Sequence, residues 1–113
     1  IEATFAKAHI ASYEQQLGSS NFNKELYGNG PVTRPGVKYT IIEGRYDDTV
    51  VPFTNAFLHE PGVKNILVQD TCRNDHASHV NFTYDVNVYQ MAVNALDPDH
   101  ARPVTCVPQP FIG

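Results

Sequence analysis

Two short β-branched runs, Val37-Lys38-Tyr39-Thr40-Ile41-Ile42 and Asn65-Ile66-Leu67-Val68-Gln69, limit the topologies open to this chain, because about twenty residues separate them. That interval is far too long for a tight hairpin and long enough for a crossover, so the two strands are expected to run parallel. Pro35-Gly36 and Pro61-Gly62 mark turns leading into them. Two parallel strands do not make a stable sheet by themselves. The expected class is therefore α/β, with an incomplete parallel sheet and flanking helices.

The flanking helices follow from local signals. Residues 3–17 permit a helix with Phe5, Ala8, Tyr13 and Leu17 on one broad face, stopped by Gly18. Ser19 or Ser20 is placed to cap a second helix through about Tyr27, and Gly28-Asn29-Gly30-Pro31 breaks regular structure. Thr54 to Leu58 adds a helical turn inside the crossover. Asp85 caps a helix from Val86 to Leu96, with Val86, Tyr89, Val93 and Leu96 as its apolar stripe and Pro98 marking its end. The chain thus reads as one partial unit, 1–113, made of a helical, cap-like lead-in (1–36) and a strand-loop-strand-loop-helix segment with a tail (37–113).

Composition narrows the function. With 113 residues, 42% hydrophobic and 18% charged, the chain has the make-up of a globular protein. Eight Lys and Arg against twelve Asp and Glu leave a net charge of -4 with no basic cluster, which argues against nucleic acid as a partner. No apolar run reaches the roughly 18 residues of a membrane span. Ile1-Glu2-Ala3-Thr4-Phe5 lacks the basic start of a signal peptide, and the start reads as internal.

Cys72 and Cys106 are the two cysteines, so one intrachain bridge is the only pairing open, with two free buried thiols as the alternative. The Pro-rich tail around Cys106, Pro103 to Pro110, otherwise has little to hold it down. A bridge there would stabilise the fold by roughly 3 to 4 kcal/mol on the chain-entropy argument, and it favours a secreted protein.

The residues with chemical potential follow the two strands. Asp47, in Glu43-Gly44-Arg45-Tyr46-Asp47-Asp48-Thr49-Val50-Val51-Pro52, lies just beyond the first, and His79, in Cys72-Arg73-Asn74-Asp75-His76-Ala77-Ser78-His79, lies in the loop after the second. A strand-end aspartate that accepts a hydrogen bond from a neighbouring imidazole fixes its tautomer and stabilises the imidazolium. The plainer account makes Asp47 a turn or cap residue. His9, His59 and His100 read as surface histidines. Asp75, His76 and His79 are too few ligands at tight spacing for a metal site, and no cofactor is indicated. Phe53, Phe57, Leu58, Ile10 and Tyr13 suit an apolar pocket or, more simply, a core. Asn81-Phe82-Thr83 is a glycosylation sequon.

Three stretches carry a resemblance: Arg45 to Pro52, Val68-Gln69-Asp70-Thr71-Cys72, and Met91 to Pro103. From about Gln15 onward the chain resembles the C-terminal part of the secreted class 2 lipases of the α/β-hydrolase superfamily, and more distantly the yeast lipase B enzymes. Carried over by position, the resemblance makes Asp47 the triad acid, His79 the triad base, and Cys72 with Cys106 the disulfide pair around the active-site loop. Asp48 follows the acid and is not expected to reach the histidine. Asp75-His76-Ala77 resembles the yeast histidine motif, so His76 competes, but gapless spacing through Asn94 to Pro98 favours His79.

The resemblance implies a carboxylic ester hydrolase acting on lipid or short-chain esters, secreted, with transient lipid-interface contact. One member of the triad is missing. No G-x-S-x-G occurs, and Ser12, Ser19, Ser20 and Ser78 lie outside any strand-to-helix elbow. The expected partner is therefore a segment or chain carrying the nucleophilic serine. A non-catalytic binding or remnant domain is the alternative.

Overall fold

In the computed structural model, which describes residues 10–113, the two β-branched runs pair in parallel as expected. Strand β1 (Tyr39–Glu43) lies beside β2 (Val63–Leu67) in a register that sets Tyr39 against Val63 and Glu43 against Leu67. The crossover between them includes a 3-10 turn at Phe53–Ala56, close to the helical turn expected there. Asn65 clasps its end, giving its amide to the Leu58 carbonyl at 2.8 Å. The protein belongs to the α/β class, a mixture of helices with a two-stranded parallel sheet among the described residues.

The chain divides into two compact units, Ile1–Val37 and Lys38–Gly113. In the first, helix α1 (Ala11–Gln16) falls inside the expected helix over 3–17. Residues 3–9 of that expectation, with Phe5, Ala8 and His9, lie outside the described residues. Helix α2 (Asn21–Tyr27) is capped by Ser20, whose hydroxyl accepts the Asn23 N–H at 3.1 Å. Gly28 stops it at φ +57, a left-handed angle that a side chain would disfavour. Ile10 and Tyr13 are exposed and do not serve as core.

In the second unit the chain leaves β2 earlier than the apolar run implies. Val68 and Gln69 do not extend the strand but open a short helix, α3 (Val68–Thr71). A short apolar run reads alike as buried strand or buried helical turn, and here Gly62, at φ +82, starts the strand at Val63 and so ends it two residues sooner. Val68 lands at the centre of the core with Cys72 and Met91, surrounded by Ile42, Ile66, Phe82, Val88, Val104 and Cys106.

Helix α4 (Val86–Leu96) has the expected bounds and cap, with Asp85 accepting from the N–H groups of Asn87 and Val88. Its inward face differs from the expected stripe. Val86, Tyr89, Val93 and Leu96 are 51%, 69%, 37% and 87% exposed, whereas Asn87 and Met91 are buried. The reason is polar. The tail needs backbone partners, and the Asn87 amide gives to the Val107 carbonyl at 2.8 Å and accepts from its N–H at 2.8 Å. That requirement turns the helix until Asn87 faces inward.

The tail is also covalently held. Cys72 and Cys106 form a disulfide with Cα atoms 5.3 Å apart across 34 residues, as the bridge expectation required. Further along, Gln109 pairs with Asp75 as a parallel bridge, and the His76 N–H donates to the Gln109 carbonyl at 2.9 Å. A disulfide is consistent with an extracellular protein. No helix among the described residues is long and apolar enough to cross a membrane.

Candidate active site

The turn that follows β1 begins with Gly44 and returns at Asp47, whose N–H donates to the Gly44 carbonyl at 3.2 Å. This aims the Asp47 side chain inward, where it is 3% exposed. Its Oδ1 accepts the N–H groups of Thr49 and Val50 at 2.8 and 2.7 Å, an arrangement that an aspartate makes in a turn. Its Oδ2 is left for a partner from elsewhere. That partner is His79, whose Nδ1 lies 2.7 Å away.

His79 is positioned from both sides. Its backbone N–H donates to Asp48 Oδ1 at 3.2 Å, so Asp48 does reach the histidine, at the main chain and not at the ring. Immediately before it, Ser78 is buried, with Oγ 2.6 Å from both the Asn81 side-chain oxygen and the Ile112 carbonyl. Immediately after it begins a 3-10 turn, Val80–Tyr84, whose Phe82 packs over Gly44. The ring itself is 45% exposed, and Nε2 makes no hydrogen bond among the described residues. His76 goes elsewhere: it is exposed and lies against Tyr46, ring centroids 4.6 Å apart.

Charge supports this geometry. Burial pushes the Asp47 carboxyl up, but the hydrogen bond from His79 and those from Val50 and Thr49 outweigh it and hold the group below its ordinary value. Asp47 is thus an ionised acceptor beside the imidazole. The Nδ1 proton is directed to it, which leaves Nε2 as the basic nitrogen on the exposed side.

Two further carboxyls in this unit are buried; sequence reasoning gave Asp85 the cap of α4 and gave Glu43 no role. Burial pushes the Glu43 carboxyl up to about 7, against the pull of the Gly44 N–H, and the Asp47 charge adds to the rise. Burial also raises Asp85, opposed by the Asn87 and Val88 N–H groups, with the Asp75 carboxyl reinforcing the increase. Asp85 Oδ2 is buried with no donor reaching it. Asp75 takes the Ala77 N–H at 3.0 Å and the Asn87 amide at 2.8 Å, which fixes the loop leading to His79.

Gln69 joins the two halves of the site. Its side chain accepts the Arg45 N–H at 2.8 Å and donates to the Asp75 carbonyl at 2.9 Å, tying the Asp47 turn to the His79 loop. The sequon residue Asn81 is buried, its oxygen taken by the Ser78 and Ile112 N–H groups and its amide by Tyr84. The folded protein does not display it for modification. Phe53 and Phe57 meet edge to face at 6.1 Å and are half-buried, as is Leu58.

Two clefts open on this unit. One is polar, lined by Arg45, Tyr46, Gln69, Asp70 and Arg73; the other is more apolar and runs from Phe82 to Ala92 along α4. Neither is lined by Asp47 or His79. Compared with known proteins, the chain matches no family model and no curated protein.

Proposed function

We propose that this chain supplies the acid and the base of a Ser-His-Asp carboxylic ester hydrolase, of the class 2 lipase kind within the α/β-hydrolase superfamily, with the nucleophilic serine on another segment or chain. The observation that carries the reading is the 2.7 Å approach of His79 Nδ1 to a buried, ionised Asp47. In this reading Nε2 takes the proton of the serine hydroxyl as it attacks the ester carbonyl, Asp47 stabilises the imidazolium that results, and Nε2 returns the proton to the leaving alcohol.

The one serine within the second unit does not fill the missing role. Ser78 is buried and committed to Asn81 and Ile112. The exposed stripe of α4 and the short sheet support a reading in which further protein covers this unit, and the serine-bearing part would be that protein. Lipid or short-chain esters are the proposed substrates, and secretion with transient contact at a lipid surface is the proposed setting.

The test is complementation. The 113-residue chain alone should turn over a short-chain p-nitrophenyl ester no faster than background, and adding its serine-bearing partner, sought by native mass spectrometry, should restore turnover. A fluorophosphonate probe should then label the partner and leave this chain unlabelled. Turnover by the isolated chain, or a partner without a reactive serine, would overturn the proposal and favour a non-catalytic remnant.

A further inference from the structure

The polar cleft gathers two arginines that have no counter-charge of their own. Arg45 comes from the turn after β1, two residues before Asp47, and Arg73 from the loop after α3, six residues before His79. With Tyr46, Gln69 and Asp70 they line a cleft of about 350 Å³, within the roughly 300 to 1,000 Å³ of small-molecule sites. Among the described residues neither guanidinium has an ion pair or a hydrogen bond. Gln69 is buried and engaged by the Arg45 N–H and the Asp75 carbonyl, so it fixes the two segments and leaves ligand contact to the side chains around it. Tyr46 rests its ring against His76 and brings a hydroxyl to the same lining.

Like charges gathered in one cleft repel, and an anion between them removes that cost. Each guanidinium is a planar fork that meets two oxygens at once. Two forks call for more oxygens than a carboxylate has, whereas a phosphate monoester presents three. We propose that this cleft is a binding site for a phosphate monoester, held by Arg45 and Arg73 across the two segments that present Asp47 and His79. Two guanidinium groups suit a single phosphate and not a nucleic-acid backbone, in keeping with the net charge of -4. Asp70 is the one carboxylate in the lining; its charge opposes that of the ligand and limits affinity. A soluble monoester and the headgroup of phosphatidic acid share this chemistry.

The test is a titration of the 113-residue chain with inorganic phosphate, followed by nitrogen-15 NMR, against sodium chloride of equal ionic strength. Phosphate should shift the signals of Arg45, Tyr46, Asp70 and Arg73 along saturable curves and raise Tm; chloride should do neither. Arg45→Gln and Arg73→Gln should each weaken binding about tenfold or more, the loss of a charge-assisted hydrogen bond, and Asp70→Asn should tighten it. Both arginines are exposed, and Arg45→Gln keeps the N–H that Gln69 accepts, so the variants should fold.

Vesicles of phosphatidylcholine with and without phosphatidic acid form the second arm. Saturation by inorganic phosphate assigns a soluble monoester; binding only to vesicles that contain phosphatidic acid, lost in Arg73→Gln, assigns a lipid headgroup. No response in either arm, an effect that chloride reproduces, or an Arg73→Gln or Asp70→Asn chain that binds as the wild type does would overturn the inference. Should a variant fail to fold, the wild-type comparison of phosphate with chloride decides alone. None of these readouts needs turnover, so this site and the hydrolase reading can fail separately.

Discussion

The ring of Phe82 occupies the space that a side chain on Gly44 would need: a Cβ there would meet the ring at 2.6 Å. Gly44 starts the turn that presents Asp47, and Phe82 belongs to the 3-10 turn that follows His79, so this contact packs the acid's turn against the base's. Gly44→Ala should push the ring aside and cost about 1 to 3 kcal/mol. Denaturant unfolding checks this, and in a Phe82→Leu background the added cost should shrink. Equal costs in both backgrounds would disconnect the two positions.

In the complemented enzyme, His79→Ala should lower kcat/KM by several orders of magnitude, leaving the residue of catalysis that binding and oxyanion stabilisation provide. Asp47→Asn should be severe as well, since an amide can favour the wrong imidazole tautomer. His76→Ala removes only the exposed ring against Tyr46 and should cost far less. Steady-state kinetics of the three variants against one ester decides the order.

Stability should depend on pH with a sign set by the buried acids. Glu43 rises on folding from an ordinary 4.5 to about 7, so its contribution is fully present below 4.5 and is lost as pH climbs through 7. The loss is on the order of 2 to 3 kcal/mol. Asp85, also raised, acts in the same direction. Asp47 is lowered; its contribution is present above the ordinary aspartate range and lost as pH falls through its folded value. Urea unfolding from pH 5 to 8 should therefore show declining stability, with a weaker decline in Glu43→Gln.

Much of this arrangement is legible in the sequence because its signals are local. The Asp85 and Ser20 caps need one side chain and one helix start, the parallel pairing needs only the length of the crossover, and two cysteines leave one bridge to form. Roles that depend on distant partners are harder to read. A glutamate closing a β-branched run looks like a solvated strand end, and nothing nearby in sequence reveals that Glu43 is shut in. Asn87 looks like a polar helix surface because its partners, Asp75 and Val107, lie 12 and 20 residues away. The rotation of α4 follows from that one residue, which is why an apolar stripe drawn from side-chain hydropathy alone selects the wrong face.

Asn87 also offers a direct test of what holds the tail. Replacing it with Ala leaves buried Asp75 Oδ2 without its Asn87 donor and releases the N–H and carbonyl of exposed Val107; a buried orphan costs about 1 to 3 kcal/mol. Asn87→Ala should lower stability by about 1 to 3 kcal/mol. Hydrogen exchange should accelerate first at Val107 and at His76, whose N–H rests on the same stretch of tail. Unchanged exchange there would mean that the disulfide alone secures the segment.

The Cys72–Cys106 bond makes the two catalytic candidates unequal before a protease. His79, Asn81 and all of α4 sit inside a covalent ring, so a single cut at exposed Arg73 opens the ring but detaches nothing. The nicked protein would migrate as one species until a thiol reductant is added. A cut at exposed Lys64 falls outside the ring and parts Asp47 from His79, leaving only hydrogen bonds and packing to keep acid and base together. Limited trypsin digestion, run with and without reductant, should divide these nicks into harmless and inactivating ones according to which side of Cys72 they fall.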